Sequence, residues 1–253
     1  MKFHFIYGFA LTIILLLGQS CSLSDSAVDP QSSGLKLIGE YTLSIPEPSG
    51  LTFHHNYARL WTVSDNTNHI YAISLDGNVL QELRYEGNDL EGIVFDSTGN
   101  SLWVVEEQLR EVVQVGLDGK ELGRHSIDLP GSGNSGLEGI CLDANNTMYI
   151  LNEKNPRLWA KLNMDFSTAQ QILIEDVDDL SGITYDRKRK MFWIVSDQSK
   201  QLFLWHPVQG TVTSFDLPFE KAEGLAYDPS LGRLYIVSDK TEKLYVYELP
   251  DNL

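Results

Sequence analysis

Five segments of this chain repeat one pattern, and that repetition constrains the fold more than any other feature. They begin Pro48-Ser-Gly-Leu-Thr-Phe, Leu90-Glu-Gly-Ile-Val-Phe, Leu137-Glu-Gly-Ile-Cys-Leu, Leu180-Ser-Gly-Ile-Thr-Tyr and Ala222-Glu-Gly-Leu-Ala-Tyr. The glycines, Gly50, Gly92, Gly139, Gly182 and Gly224, are spaced 42, 47, 43 and 42 residues apart. A second apolar run follows each: Leu60-Trp-Thr-Val-Ser-Asp, Leu102-Trp-Val-Val-Glu-Glu, Met148-Tyr-Ile-Leu-Asn-Glu, Phe192-Trp-Ile-Val-Ser-Asp and Leu234-Tyr-Ile-Val-Ser-Asp. A third run comes next, and Asp76-Gly77 and Asp118-Gly119 mark tight turns into a fourth.

Four short strands in each repeat of 40 to 50 residues predict an all-β fold built of β-propeller blades. The second run is apolar on both faces, which suits a blade packed between two neighbours. Residues 35–249 give about 43 residues for each of five blades, with no room for six. The fifth repeat stops after its third strand, while residues 37–45 read as a fourth strand with no repeat before it. The expected ring is therefore five-bladed, closed by an N-terminal strand that completes the last blade and removes exposed edges.

Ahead of the repeats, Met1 to His4 is a short basic start and Phe5 to Gly18 is apolar. This is the layout of a secretory signal peptide over residues 1–20, and the run is too short for a usual membrane span. Cys21 then stands where a lipoprotein cysteine would receive lipid, although Leu17 lies four residues before it rather than three. Ordinary cleavage at the same bond is the simpler alternative. Residues 21–34 read as a polar tether, and 35–253 as the propeller. The expected location is the cell envelope, attached to a membrane by the N-terminal lipid. Cys141, the other cysteine, lies in an apolar run and reads as a small buried residue.

With 35 acidic against 19 basic side chains and a net charge of −16, the chain is a poor candidate for nucleic-acid binding. The acidic residues are also patterned. The first strand of a blade is expected to line the axis and the second to run antiparallel to it. The start of the first and the end of the second then share one face. Glu91, Glu138 and Glu223 precede the repeat glycine, with Ser49 and Ser181 in the other two blades. Asp65, Glu107, Glu153, Asp197 and Asp239 follow the second strand. Converging carboxylates repel and require a cation, protons or nearby donors. Oxygen ligands without Cys or His favour calcium over zinc.

The irregular set, Glu91, Glu138 and Glu223, is read as the metal or ligand site. The regular set has two readings. Its members either bond backbone amides within their own blades or support and extend the metal site. His69 falls near the acidic face, and His54 and His55 at the opposite one. The tryptophans fall in second or third strands and read as blade packing. Pro130 to Gly136 is a glycine-rich insertion at the acidic face. No Gly-x-Ser-x-Gly, His-Glu-x-x-His or EF-hand pattern occurs.

The repeated Leu-Glu-Gly-Ile, followed by Leu-Trp-Val-Val-Glu-Glu or Ile-Val-Ser-Asp, resembles the SdiA-regulated family of bacterial propellers over residues 35–249. The resemblance implies an exported or membrane-attached propeller with calcium at the axis and no established reaction. The chain departs from phytase-like propellers in having five blades rather than six and few basic residues to hold phosphate. The leading expectation is a non-enzymatic binding protein for an unidentified ligand or envelope protein. The alternatives are a calcium-dependent hydrolase of a phosphoester or lactone, and a protein-interaction platform without a small ligand.

Overall fold

The computed structural model describes residues 34–131, 135–250 and 253, together with Met1 and Lys2. Cys21, nearly all of the expected signal peptide and all of the tether but Gly34 lie outside the described residues. Among the described residues there are twenty strands and no helix. Strand β1 (Lys36–Thr42) is followed by blade one, β2 to β5 (Pro48–Phe53, Leu60–Ser64, His69–Ile73, Val79–Glu86). Blade two is β6 to β9 (Leu90–Asp96, Ser101–Glu106, Glu111–Gly116, Glu121–Ser126). Blade three is β10 to β13 (Leu137–Leu142, Met148–Asn152, Leu158–Leu162, Thr168–Leu173). Blade four is β14 to β17 (Gly182–Asp186, Met191–Ser196, Gln201–His206, Gly210–Asp216). Blade five has β18 to β20 (Ala222–Asp228, Arg233–Ser238, Lys243–Glu248), and β1 supplies its outer strand.

Each blade is an antiparallel meander, so the fold is the expected five-bladed β-propeller. Closure runs through β1 and β20, from Lys36 opposite Glu248 to Thr42 opposite Lys243. The ladder is shorter than the expected 37–45. It ends at Thr42, and Leu43 and Ile45 leave it to bury themselves between blades five and one. The two Asp-Gly turns form as expected. Gly77 (φ 83°) and Gly119 (φ 80°) take the left-handed backbone that hairpin turns demand.

Strand alternation explains the doubly apolar second strand. In β3 and β4, Trp61, Val63, Ile70 and Ala72 pack towards blade two. Leu60, Tyr71 and Ile73, their neighbours in sequence, pack towards blade five. The same division recurs, so one apolar cluster fills each of the five gaps between blades. All five tryptophans are buried in or against these layers.

Strands β2, β6, β10, β14 and β18 form the inner ring. The repeat glycines let their backbones meet. A Cβ on Gly92 would lie 2.2 Å from the Glu138 carbonyl oxygen, and one on Gly182 would lie 2.1 Å from that of Glu223. Only a residue without a Cβ fits there. The axis at this level keeps a void of about 10 Å³. The ring therefore has two separate end cavities rather than an open channel.

Candidate metal centre

At one end, in four of the five blades, a backbone hydrogen bond ties the close of the second strand to the approach of the first. Asp65 N–H donates to Glu47 C=O at 3.1 Å, Glu107 to Asp89 at 2.9 Å, Glu153 to Gly136 at 3.0 Å and Asp239 to Lys221 at 3.1 Å. This fastening brings both predicted acidic sets to one face. All of them except Glu107 and Asp197 line a cavity of about 90 Å³, together with Glu47 and Asp179.

The carboxylates are not spread evenly. Glu91, Glu107 and Glu138 place oxygens within 4.8 Å of one another. Asp65, Asp89 and Glu91 do the same, so Glu91 joins two triads drawn from blades one, two and three. Ser49 Oγ donates to Glu91 Oε2 at 2.6 Å. Burial pushes Glu91 well above the usual carboxylate range; the Ser49 bond opposes the rise, and the charges of Glu223, Asp65 and Glu107 add to it. Glu138 is buried and is pushed up by that burial, then by Glu91, Glu223 and Glu107. Burial lifts Glu107 to about 7, against the Gly136 N–H that its Oε1 accepts at 2.8 Å. Burial and contact with Asp89 lift Asp65 to about 6. The Oδ2 atom of Asp89 is buried without a hydrogen-bond partner. Carboxylates touch in this way only when a proton or a cation lies between them.

The remaining predicted residues take other partners. Lys221 Nζ lies 3.4 Å from Glu223 Oε1 and 3.5 Å from Asp197 Oδ2. Burial still lifts Glu223 to about 7, with Lys221 opposing. Glu153 is paired with Lys154. Asp239 is raised by burial, again against the pull of Lys221. The own-blade reading of the regular set needs correction. Glu107 accepts from Gly136, and Asp197 accepts the Lys221 N–H at 2.6 Å; both amides belong to the following blade. These side chains fasten one blade to the next. His69 is also placed differently: its Nδ1 meets Glu82 Oε1 at 2.6 Å, on the outer strand of blade one. Of the insertion Pro130–Gly136, residues 132–134 lie outside the described residues.

The sequence pattern does not single out Asp89, Asp179 and Lys221. They occupy a third repeat position, two residues before each Glu or Ser, filled in order by Glu47, Asp89, Gly136, Asp179 and Lys221. Its residues vary in type, so it does not stand out. Buried Asp179 accepts bonds from Ser196 Oγ and from Gln198 N–H and is tied down by its own blade.

The donors fit a hard divalent cation. Calcium takes six to eight oxygens, often from bidentate carboxylates, and Glu91, Glu107 and Glu138 together offer six. The orphaned oxygen of Asp89 and the crowded, desolvated glutamates are what such an ion would relieve.

Solved structures share the architecture. Glutaminyl cyclase from Myxococcus xanthus is 16% identical, with a TM-score of 0.69 over 85% of this chain and 96% of that one. A gluconolactonase from Xanthomonas campestris is 13% identical, with a TM-score of 0.58 over 83% of this chain and 88% of that one. A nidogen/laminin complex gives 16% identity and 0.57 over 81% of each chain. At such identities the likeness is one of fold, which many functions share. The SdiA-regulated family matches residues 43–248, nearly the whole ring, and the chain belongs to that family.

Proposed function

We propose that this protein is an envelope-attached binding propeller whose acidic end holds calcium. Glu91, Glu107 and Glu138 act as ligands, and Asp65 and Asp89 extend the site. The observation that carries this reading is the mutual approach of the three glutamate carboxylates within 4.8 Å. The reading departs from the sequence expectation in its members: Glu107 takes the place of Glu223, whose charge Lys221 already answers, and Asp89 is added. The ion would stitch blade two to blade three and turn a repulsive cluster into a Lewis-acidic centre for an oxygen-bearing ligand or partner. Attachment through lipid on Cys21 would hold the ring at a membrane. Titration of the purified ring with calcium tests the reading: one saturable site is expected, lost in Glu138→Gln. Retention of the site in that variant would reject it.

A second reading has one observation in its favour. Glu223, which is not among the proposed ligands and is lifted to about 7 by burial, is suited to act as a general base near a bound ion. The calcium-loaded protein assayed on a phosphoester and on a lactone decides between binding and hydrolysis.

A further inference from the structure

The opposite end of the axis carries a second cavity, of about 180 Å³, with a contrasting character. Repeat positions build it. Its floor is the residue two after each repeat glycine: Thr52, Val94, Cys141, Thr184 and Ala226. Its wall is the next residue: Phe53, Phe95, Leu142, Tyr185 and Tyr227. In a chain of net charge −16, no residue lining this cavity is acidic, whereas Arg187, His54 and His55 all line it.

The repeat itself marks the exception. Four residues after the glycine stand Asp96, Asp143, Asp186 and Asp228, each capping its own hairpin turn through backbone N–H groups. Those charges are occupied by the turns. In blade one the same position is His54. It is buried, and its Nδ1 accepts the indole N–H of Trp61 at 3.3 Å. That bond places the imidazole proton on Nε2, leaving a donor for the cavity. Burial, with His55 and Arg59, holds His54 below its usual pKa, so it stays a neutral donor. Its ring lies 4.5 Å, edge-on, from Phe95. Arg187 is exposed and makes no salt bridge among the described residues. Its charge reaches Tyr57 and Tyr185, where it opposes the rise that burial gives their phenols.

We propose that this cavity binds a small aromatic carboxylate, its ring between the aromatic walls and its carboxylate on Arg187 and the His54 Nε2–H. Size agrees: a cavity of about 150 Å³ accepts benzene, and this one leaves room for one substituent. Arginine presents a fork of donors that matches a carboxylate. The closed axis separates this site from the acidic end, so binding here does not depend on calcium.

Calorimetric titration with benzoate and 4-hydroxybenzoate, with benzamide as the uncharged control, tests the proposal. Saturable one-to-one binding of the acids is expected, with benzamide weaker. Arg187→Gln, a change at an exposed side chain, should weaken benzoate binding at least about tenfold and leave melting unchanged. Amide shifts on titration should centre on Thr184 and Tyr185 and persist in chelator. Absence of saturable benzoate binding at millimolar concentration overturns the proposal. So do equal binding of benzamide, an unchanged Arg187→Gln affinity, or loss of binding in Glu138→Gln.

Discussion

Lys221 Nζ lies 3.4 Å from Glu223 Oε1, and this one ammonium divides the acidic end of the ring into two unlike halves. On its side, the carboxylates of Glu223 and Asp197 already have a counter-charge. Across the cavity, Glu91, Glu107 and Glu138 crowd together without one. Three glutamates that are equivalent in the repeat are thus inequivalent in space.

That asymmetry predicts how single variants behave. Glu138→Gln and Glu91→Gln should each abolish the rise in melting temperature that calcium produces. Glu223→Gln should leave most of it. A ligand at a hundredfold excess over Kd stabilises by about 2.7 kcal/mol, well within reach of a melting experiment. Equal loss in all three variants would show that the ion is shared around the whole ring.

The closed axis predicts a steep cost for a single methyl group. In Gly182→Ala the new Cβ would meet the Glu223 carbonyl oxygen at 2.1 Å, and backbone cannot yield as a side-chain end can. Overpacking of this kind costs about 1–3 kcal/mol or more. The turn residue Gly210 has open space around it, so Gly210→Asn, which tolerates the left-handed backbone, should change little. Comparable melting temperatures for Gly182→Ala and wild type would mean that the inner strands are not packed as described.

The ring is legible in the sequence because its signal is redundant. Five glycines at nearly even spacing, five doubly apolar strands and one leftover strand all require the same closed architecture. The acidic end is legible only in outline. Strand direction alone places Glu91 and Glu107 at the same face, but their grouping depends on which blade adjoins which and on Lys221. That lysine occupies a repeat position filled elsewhere by Glu, Asp or Gly, so no pattern draws attention to it. His69 shows the same limit: its connection predicts the right end of the blade, while Glu82 on the outer strand draws its side chain aside. At the opposite end, His54 breaks a run of four turn-capping aspartates, a departure visible in the sequence whose meaning needs the cavity.

Ring closure predicts an aggregation phenotype. Removing residues 36–42 strips β1 from β20, so that Lys243–Glu248 becomes the outer edge of blade five with unpaired backbone groups. Open edges of this kind recruit other chains. The shortened protein should melt earlier and associate with rising concentration, measured by calorimetry and light scattering. A monomer of unchanged melting temperature would place the closing contacts elsewhere.

The final prediction concerns pH, and its sign follows from the direction of the shifts. Burial raises Glu107 and Glu223 to about 7 and Asp65 to about 6, above their values in an unfolded chain. The folded protein therefore holds more protons than the unfolded one between those limits, and its stability falls as pH rises. The contribution is complete below the unfolded carboxylate range, near about pH 4, and is lost as pH passes through about 6 to 7. In chelator, melting temperature should decline from about pH 5 to about pH 8. Bound calcium favours the ionised carboxylates, so saturating calcium should flatten or reverse that decline. Combined Glu91→Gln and Glu138→Gln should flatten it without calcium, since amides neither titrate nor repel. A chelated wild type that grows more stable across this range would mean that the acidic cluster stays ionised in the folded ring, its repulsion met by neighbouring amides, and the case for a cation there would fall with it.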